Sequence, residues 1–230
     1  MGHLQPYDKR ESSAQEPRVY CPPLFAANDP AHCYALMRAH PLAHLVRQDG
    51  GALAADAVVL WPDAEAGVLR GHVARVNPLS ACDGAGVLAI FSAGDAYVSP
   101  GWLPGKAEHG RVVPTWNYRV VHAHGRLRVV DDAAWLRAQM EVLTDAQEGV
   151  LGANWRVDDA PADYIAAMLG VVVGIEIAIS ALEGKDKLSQ NRSVAERAGV
   201  RQGLAARGEA ASAAIAAAMN RIEADQGERS

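Results

Sequence analysis

The sequence predicts an α+β protein in which the strands form an antiparallel β-barrel with helices packed around it. Strand-like segments outnumber helix-like segments across the 230 residues. Most of these strands are joined by short turns, whereas parallel strands need a long crossover connection. Half of the residues are apolar, which is enough for a sizeable core. These features favour a closed antiparallel sheet over a doubly wound one.

The chain divides into a polar start, a central body and an alanine-rich end. Residues 1–18 are polar and lack the apolar run of a signal peptide, so we expect a disordered tail. Residues 19–204 carry the strand patterns and are predicted to form the barrel domain. Residues 205–230 combine high helix propensity with a weak apolar face, which predicts a helical extension on the surface.

The first half of the body contains one helix followed by several strands. Asp29 before Pro30 is typical of a helix start, and Pro41 is expected to end that helix. Two strands then flank an Asp-Gly-Gly turn, which indicates a hairpin. A third strand is predicted in "GVLRGHVARV" and a fourth in "GVLAIFS".

The longest predicted strand covers residues 115–130 and has two unlike faces. Side chains alternate across a strand, so the odd positions from Val121 to Val129 form a small apolar face. The other face is aromatic and basic and consists of Trp116, Tyr118, His122, His124, Arg126 and Arg128. His122 and His124 project to the same side, as a metal-chelating pair would. The neighbouring arginines repel a cation, so we expect no metal there and favour an anion instead.

The remaining elements are two helices, a strand and a further helix. A helix is predicted over residues 133–143, and another opens after Pro161 and ends at Gly170. The last strand is predicted over residues 171–180. Ser193 and Glu196 then form a capping box for a helix that begins at Val194.

Composition and charge restrict the class of protein. The net charge of -5 and pI of about 5.9 give the chain no general attraction to nucleic acid or anionic lipid. Cys21, Cys33 and Cys82 include no C-x-x-C pair, which fits a reducing compartment. No apolar run reaches the roughly 20 residues of a membrane span. We therefore expect a soluble cytoplasmic protein.

Two segments outside the long strand carry candidate ligand-binding residues. Arg70 and His72 share one face of their strand and could meet an anion such as a phosphate or a haem propionate. His72 could instead ligate haem iron, or the face could simply be exposed to solvent. Ser99, in "AYVSPGW", could donate to a phosphate while a tryptophan covers a flat ring, although a loop with two core aromatics is the better explanation of this segment taken alone. No dinucleotide, P-loop, zinc-protease or serine-hydrolase motif is present, and no catalytic residue is assigned.

Six segments together resemble the PaiB family of FMN-binding negative transcriptional regulators. They run in register from Tyr20 to Leu204 and read "YCPPLFA", "LRGHVARVNP", "AYVSPGW", "VPTWNYRVVHAHGRLRVVDD", "VVGIEIAI" and "EGKDKLSQNRS". The resemblance implies a split β-barrel of the flavin-reductase and pyridoxamine-phosphate-oxidase kind that works as a homodimer. It also implies an FMN at the subunit interface, in a pocket to which both chains contribute.

On this resemblance, the donor-rich segment "KLSQNR" lies beside the flavin or the partner subunit. Gln190 and Asn191 could equally tie the strand–helix junction together through backbone hydrogen bonds. The side chains expected to hold the cofactor are Arg70, His72, Ser99, Trp116, Asn117, His122, His124, Arg126, Lys187, Ser189, Gln190, Asn191 and Arg192. The chain departs from the family pattern at four places. Relatives often carry a histidine at the position of Asp56 and a Pro-His pair at Gly94-Asp95. They carry a tyrosine at the position of Leu103 and a tryptophan at that of Asp186.

Three functions remain open on the sequence. The first is an FMN-binding, PaiB-like repressor, although no helix-turn-helix or basic stripe marks a DNA operator site. The second is a haem- or flavin-dependent enzyme, such as a flavin oxidoreductase or a piperazate synthase-like N–N bond cyclase. In the cyclase case His72 would be the axial ligand of haem b, with Arg70, Arg126 and Arg128 as anchors for propionates or substrate. The third is a ligand-free dimer that acts through its surface.

Overall fold

The computed structural model describes residues 19–227, with side chains up to residue 223. The tail predicted over residues 1–18 lies outside the described residues. The strands are β1 (Leu42–Asp49), β2 (Ala52–Val59), β3 (Trp61–Asp63), β4 (Val68–Ala74), β5 (Gly86–Val98), β6 (Thr115–Val130) and β7 (Val172–Lys187). The α-helices are α1 (Pro30–Ala39), α2 (Gly105–Glu108), α3 (Ala133–Leu151), α4 (Ala162–Gly170), α5 (Val194–Ala206) and α6 (Ala210–Gly227).

The seven strands form one antiparallel sheet in the order β2-β1-β5-β6-β7-β4-β3. β2 and β3 lie at opposite edges of this order, yet only Leu60 separates them along the chain. The sheet must therefore curl until its two edges meet, as in a barrel. The Leu60 N–H donates to the carbonyl of Pro41 at 2.9 Å. This architecture confirms the predicted α+β class with an antiparallel sheet and surrounding helices.

The barrel interior follows from the alternation of residues along β6. The odd positions from Asn117 to Leu127 are buried, whereas the even positions are partly or fully exposed. Phe91, Ile175 and Ile177 on neighbouring strands are fully buried in the same core. The two unlike faces predicted for residues 115–130 are therefore confirmed, and the strand has the predicted bounds.

The local signals for α1 and for the first hairpin are also confirmed. The Asp29 carboxylate accepts the His32 N–H at 3.2 Å and caps α1. Apolar residues of α1, including Met37, pack into the barrel core. Gly50 and Gly51 have φ values of 55° and 90°, which the tight turn between β1 and β2 requires and which glycine adopts without strain.

The two C-terminal helices form a second, smaller core with the end of β5. Leu204 of α5 and Ile215 and Met219 of α6 are buried there against Val98. The predicted boundary at residue 204 falls inside α5, and the alanine-rich helix buries one side instead of lying loosely on the surface. Its small side chains allow this close approach, although they give the sequence a weak apolar pattern. None of the helices in the described part of the chain is long and apolar enough to span a membrane.

Two elements extend further than the sequence predicts. α3 continues to Leu151 because its residues remain compatible with a helix until Gly152, whose φ of 66° ends it. β7 continues to Lys187 instead of ending at residue 180. The pairing of β6 with β7 shifts at Ser180, which bulges out of the ladder. A bulge changes which positions face the core. The alternation of inward and outward residues after Ser180 therefore differs from the alternation before it.

Candidate functional site

One outward face of the barrel remains open. It consists of the outward-pointing residues of β2, β1, the first half of β5 and the centre of β6, and we call it the open face. Within the described residues, no helix packs broadly on β1 or β2. Leu42 is 57% exposed and Leu53 is 76% exposed on this face. His44, Ile90, His122 and Glu183 lie directly opposite one another on four adjacent strands, so they form a row that crosses it.

Two lysines of β7 border the open face, and we call them the lysine pair. Lys185 and Lys187 lie opposite Val120 and Tyr118 on β6. Their Nζ atoms lie 5.4 Å and 5.7 Å from the centre of the Tyr118 ring. Lys185 Nζ also donates to the Tyr20 carbonyl at 2.8 Å. The pair is thus held by one aromatic ring and by neutral oxygens.

The positive charge of the lysine pair is not neutralised within the described residues. Lys187 Nζ donates to Thr115 Oγ1 at 2.7 Å and to the Trp116 carbonyl, and neither lysine forms an ion pair with a described carboxylate. Burial lowers the pKa of Lys187, and the positive charges of Lys185 and Arg192 lower this pKa further. An anion bound here would relieve that repulsion, because an opposite charge favours the protonated amine.

A groove of about 390 Å³ lies next to Tyr118. It forms where the pairing of β5 with β6 shifts between Ser92 and Asp95, and its wall includes Trp116. Tyr97 packs edge-on against Trp116, with the two ring centres 5.8 Å apart. The groove has the size of small-molecule sites, roughly 300–1,000 Å³. Trp116, Tyr118 and Asp95 belong to its wall, and the lysine pair contacts the ring of the same Tyr118.

The two histidines of β6 differ in their surroundings. His124 Nε2 lies 3.4 Å from Glu183 Oε2, so a carboxylate contacts this ring. Burial lowers the pKa of His122; Glu183 opposes this shift, and the nearby His124 and Lys185 add to it, so the pKa lies below its usual value. His122 is therefore a neutral imidazole on the open face. Among residues 19–227, no three His, Cys, Asp or Glu side chains are grouped so that they could hold a metal ion.

The junction after β7 is built mainly from its own hydrogen bonds. Ser189 Oγ donates to Asn117 Oδ1 at 3.0 Å, and both residues are buried. Gln190 accepts the Leu188 N–H at 2.7 Å and donates to the carbonyl of Asp186. These contacts correspond to the structural alternative left open by the sequence, in which side chains tie the junction together.

The other residues of the predicted junction set lie nearer the surface. Arg192, just before the N-cap of α5, has its Nη1 3.3 Å from Oε1 of Glu196 in the first turn of that helix. Asn191 is exposed. Lys187 belongs to β7 itself and not to the loop, because the strand continues past the bulge. Of the predicted junction residues, the structure therefore brings Lys187 to the edge of the open face.

Arg70 and His72 lie on a different side of the barrel, beneath α3. Arg70 donates to Glu176 Oε2 at 2.9 Å and to Asp63 Oδ2 at 2.7 Å. His72 Nδ1 lies 3.0 Å from Gln139 Oε1. The anions expected to face Arg70 are thus carboxylates of the protein itself, and α3 separates His72 from the open face. Sequence spacing gave no indication that Arg70 would contact Glu176 or that His72 would contact Gln139.

Ser99 and Arg126 also have partners within the chain. Ser99 Oγ accepts the Gly101 N–H at 3.1 Å and caps the short helix at Pro100–Trp102. Arg126 donates to the Gly84 carbonyl at 3.0 Å. The structure therefore gathers Trp116, His122, His124 and Lys187 from the predicted set around the open face, and it places Ser99 and Arg126 in local contacts.

Sequence reasoning missed a buried ionic cluster that supports the end of β7. Arg119 donates to both oxygens of Asp186 at 3.1 Å, and His32 Nε2 lies 3.0 Å from Asp186 Oδ2. Burial opposes ionisation of Asp186, but the hydrogen bonds from His32 and Arg119 outweigh it and lower the pKa of this carboxyl. An arginine at an inward position of β6 was the available signal, since a buried charge requires a partner.

An antiparallel β-barrel with surrounding helices, an aromatic groove and a lysine pair without a described carboxylate partner places the protein among β-barrel proteins with a candidate small-molecule site. The family model described as "Putative FMN-binding domain" matches residues 19–181, and the chain belongs to this family. A protein from Bacillus subtilis named protease synthase and sporulation protein PAI 2 is 28% identical over 129 residues, which cover 54% of this chain and 58% of that protein. The resemblance to the PaiB family is thereby confirmed.

Further comparisons agree with this assignment. An uncharacterised protein from Emericella nidulans is 34% identical over 166 residues, which cover 60% of this chain and 66% of that protein. The FAD and haem binding protein from Mycobacterium smegmatis superposes with a TM-score of 0.54 at 17% identity, over 75% of this chain and 78% of that chain. The flavocytochrome Anf3 from Azotobacter vinelandii superposes with a TM-score of 0.52 at 18% identity, over 70% of this chain and 69% of that chain. At these identities the superpositions show a shared fold.

Proposed function

We propose that this protein binds FMN beside the lysine pair, as a homodimer joined through the open face, and acts as a PaiB-like negative transcriptional regulator. The observation that carries the proposal is the lysine pair, in which two cations share one aromatic neighbour and lack a described carboxylate partner. The family to which the chain belongs supports a flavin as the ligand.

The residues present fit the two parts of a flavin mononucleotide. The phosphate would accept hydrogen bonds from Lys185 and Lys187, which act as point charges for such a group. The flat ring would lie against the aromatic wall of the groove, which includes Trp116 and Tyr118. When bound, the flavin would supply redox chemistry, while these side chains bind and orient it.

The proposed dimer explains why apolar residues are exposed on the open face. Leu42, Leu53 and Val59 are all exposed there on adjacent strands. Contiguous apolar surface of this kind marks interaction sites, and a twofold dimer would bury the same patch on both copies. The groove lies at the edge of this patch, so a partner subunit would help to enclose the ligand.

The regulatory role is proposed to depend on the loaded dimer and not on a basic recognition helix. Arg197 and Arg201 of α5 both contact Glu223 of α6, so both guanidinium groups are held by one carboxylate within the chain. Arg192 pairs with Glu196 in the same way. A DNA operator would therefore have to be contacted by a surface that two subunits create together. Retarded migration of the protein's own upstream DNA at low salt, with and without FMN, tests this role.

A haem- or flavin-dependent enzyme is the second candidate, because His122 presents a neutral imidazole on the open face. A neutral ring nitrogen is the form that ligates haem iron. His72, which the sequence suggested for this role, is bonded to Gln139 beneath α3. The absorption spectrum of protein mixed with haemin or with FMN distinguishes the two cofactors. A Soret band that is lost in His122→Ala would support haem, whereas bound flavin maxima alone would support FMN.

The proposed flavin site is tested by comparing FMN with riboflavin, which has the same ring but no phosphate. Lys187→Met removes a charge-assisted hydrogen bond, so we expect FMN affinity to fall roughly ten- to hundredfold while riboflavin affinity changes little. Flavin fluorescence quenching measures both. Lys106→Met is the matched control, since Lys106 is an exposed lysine of α2. Equal binding of FMN and riboflavin to wild type and to Lys187→Met would contradict the proposal.

A further inference from the structure

A second cavity of about 530 Å³ lies on the side of the barrel that α3 covers. It is bounded by α3, by the β3–β4 hairpin and by Arg38 near the end of α1. Two indole rings, Trp61 and Trp135, contribute to its wall. It is larger than the groove beside Tyr118, and no part of the proposed flavin site uses it.

A buried amide without a partner lines this cavity. Gln139 is only 6% exposed, and its Oε1 lies 3.0 Å from His72 Nδ1. Its Nε2 is buried and has no hydrogen-bond partner within the described residues. Leaving a buried donor unpaired costs about 1–3 kcal/mol, so such groups usually have a partner. Because Gln139 lines the cavity, a ligand that enters it would be the nearest source of the missing acceptor.

The charged residues that line the cavity balance in sign, two basic and two acidic, which favours an uncharged ligand. Arg70 lines the cavity but pairs with Asp63 at 2.7 Å and with Glu176 at 2.9 Å. Arg38 and Glu65, one of each sign, complete the charged lining. An ion bound here would lose part of its hydration, while the four charged lining residues together carry no net charge to attract it. Two indole rings instead favour a flat aromatic body.

We infer that this cavity is a second ligand site, which binds a flat, neutral molecule whose carbonyl oxygen accepts a hydrogen bond from Gln139 Nε2. The site is separate from the proposed flavin site. Arg128 shares Glu176 with Arg70, and it lies ten residues along β6 from Tyr118. At about 3.3 Å per residue this is roughly 33 Å of strand. A molecule in this cavity would contact α3 and the hairpin without touching the flavin.

The test uses three probes of similar size, which are benzamide, benzoate and toluene. Benzamide combines an aromatic ring with a neutral carbonyl, so we expect it to bind saturably and to shift the indole N–H signals of Trp61 and Trp135 in nuclear magnetic resonance spectra. Trp61→Phe and Trp135→Phe assign those signals. Benzoate and toluene should bind at least about tenfold more weakly, because one brings an unmatched charge and the other lacks the acceptor.

Two variants make the result specific to the cavity. Gln139→Glu keeps an oxygen for His72 but replaces the amide donor, so benzamide affinity should fall about tenfold. Ala138→Phe places a large ring at the cavity lining and should abolish binding by filling the space. Trp116→Phe on the far groove is the control and should bind benzamide as the wild type does. Unchanged binding in both cavity variants, an absence of indole shifts, or displacement of benzamide by FMN would overturn the inference.

Discussion

At the scale of single residues, the buried carboxylate of Asp186 is neutralised by Arg119, whereas the lysine pair has no described carboxylate partner. Asp186 and Arg119 are both nearly inaccessible, and they face each other in a two-point contact with His32 alongside. Lys185 and Lys187 lie on the neighbouring positions of β7 but point to the other face. Alternation along one strand therefore separates a structural charge from the proposed ligand-binding charges.

Removing one member of the buried cluster should destabilise the fold strongly. In Asp186→Ala, Arg119 would remain buried without its counterion, which typically costs about 3–5 kcal/mol. Urea unfolding followed by circular dichroism measures this loss. Asp131→Ala removes an exposed partner of Arg75 and serves as the control, for which we expect little change. A loss in Asp186→Ala no larger than in the control would mean that Arg119 finds another partner.

The same carboxylate should make stability depend on pH in the acid range. Its folded pKa lies below the ordinary aspartate value of 3.8, so its contribution is complete above that value. The contribution is lost as the pH falls through the lowered folded pKa. The difference in unfolding free energy between the wild type and Asp186→Asn should therefore be constant near neutral pH and shrink below about pH 4. A difference in unfolding free energy between the wild type and Asp186→Asn that is the same at every pH would contradict the pairing of Asp186 with Arg119 and His32.

At the scale of whole elements, the sequence predicted those strands whose alternation is unbroken. β6 was predicted with its correct bounds and faces because its apolar positions follow one period throughout. β7 was predicted only as far as residue 180, because the bulge at Ser180 reverses the pattern. The lysine pair lies in the missed half. The cover of α3 over His72 was also beyond prediction, since it depends on contacts between residues far apart in sequence.

The packing of the N-terminal segment on β7 gives a prediction at this scale. A methyl group added at Gly184 would lie 2.1 Å from the Ala27 carbonyl oxygen, which belongs to the backbone and cannot rotate away. The Ala27 N–H also donates to the Gly184 carbonyl at 2.9 Å. Gly184→Ala should therefore destabilise the fold by about 1–3 kcal/mol in urea unfolding and loosen the segment that carries Tyr20.

A second strand glycine provides the control for that substitution. A methyl group at Gly86, at the start of β5, would meet no atom within 4 Å. Gly86→Ala should therefore change stability by no more than about 0.5 kcal/mol. In Gly184→Ala the loosened segment would also move the Tyr20 carbonyl away from Lys185. We therefore expect this variant to lose both stability and FMN affinity. Equal unfolding free energies of Gly184→Ala and Gly86→Ala would show that the N-terminal segment can shift without a loss of stability.

At the scale of the whole molecule, the barrel has one side covered by helices and one side open. α3 covers the side that contains the large cavity, whereas β1 and β2 carry exposed apolar residues. This asymmetry could not be derived from composition, because each strand contributes only a few residues to the open face. It follows from the strand order, which places the hairpin β1–β2 away from the helices. The proposed dimer forms through the open side, and the proposed second ligand site lies on the side that α3 covers.

The dimer can be tested by placing a charge on the open face. Leu42→Glu would bury two carboxylates, one from each copy, without counterions, and such an interface should separate. Sedimentation equilibrium at micromolar concentration should give a dimer for the wild type and a monomer for Leu42→Glu. Val150→Glu alters a residue on α3 that is 83% exposed and should remain dimeric. Because the proposed partner subunit would enclose the groove, FMN affinity should fall in Leu42→Glu alone. A monomeric wild type that binds FMN at full strength would assign the flavin to a single chain and leave the open face for another partner.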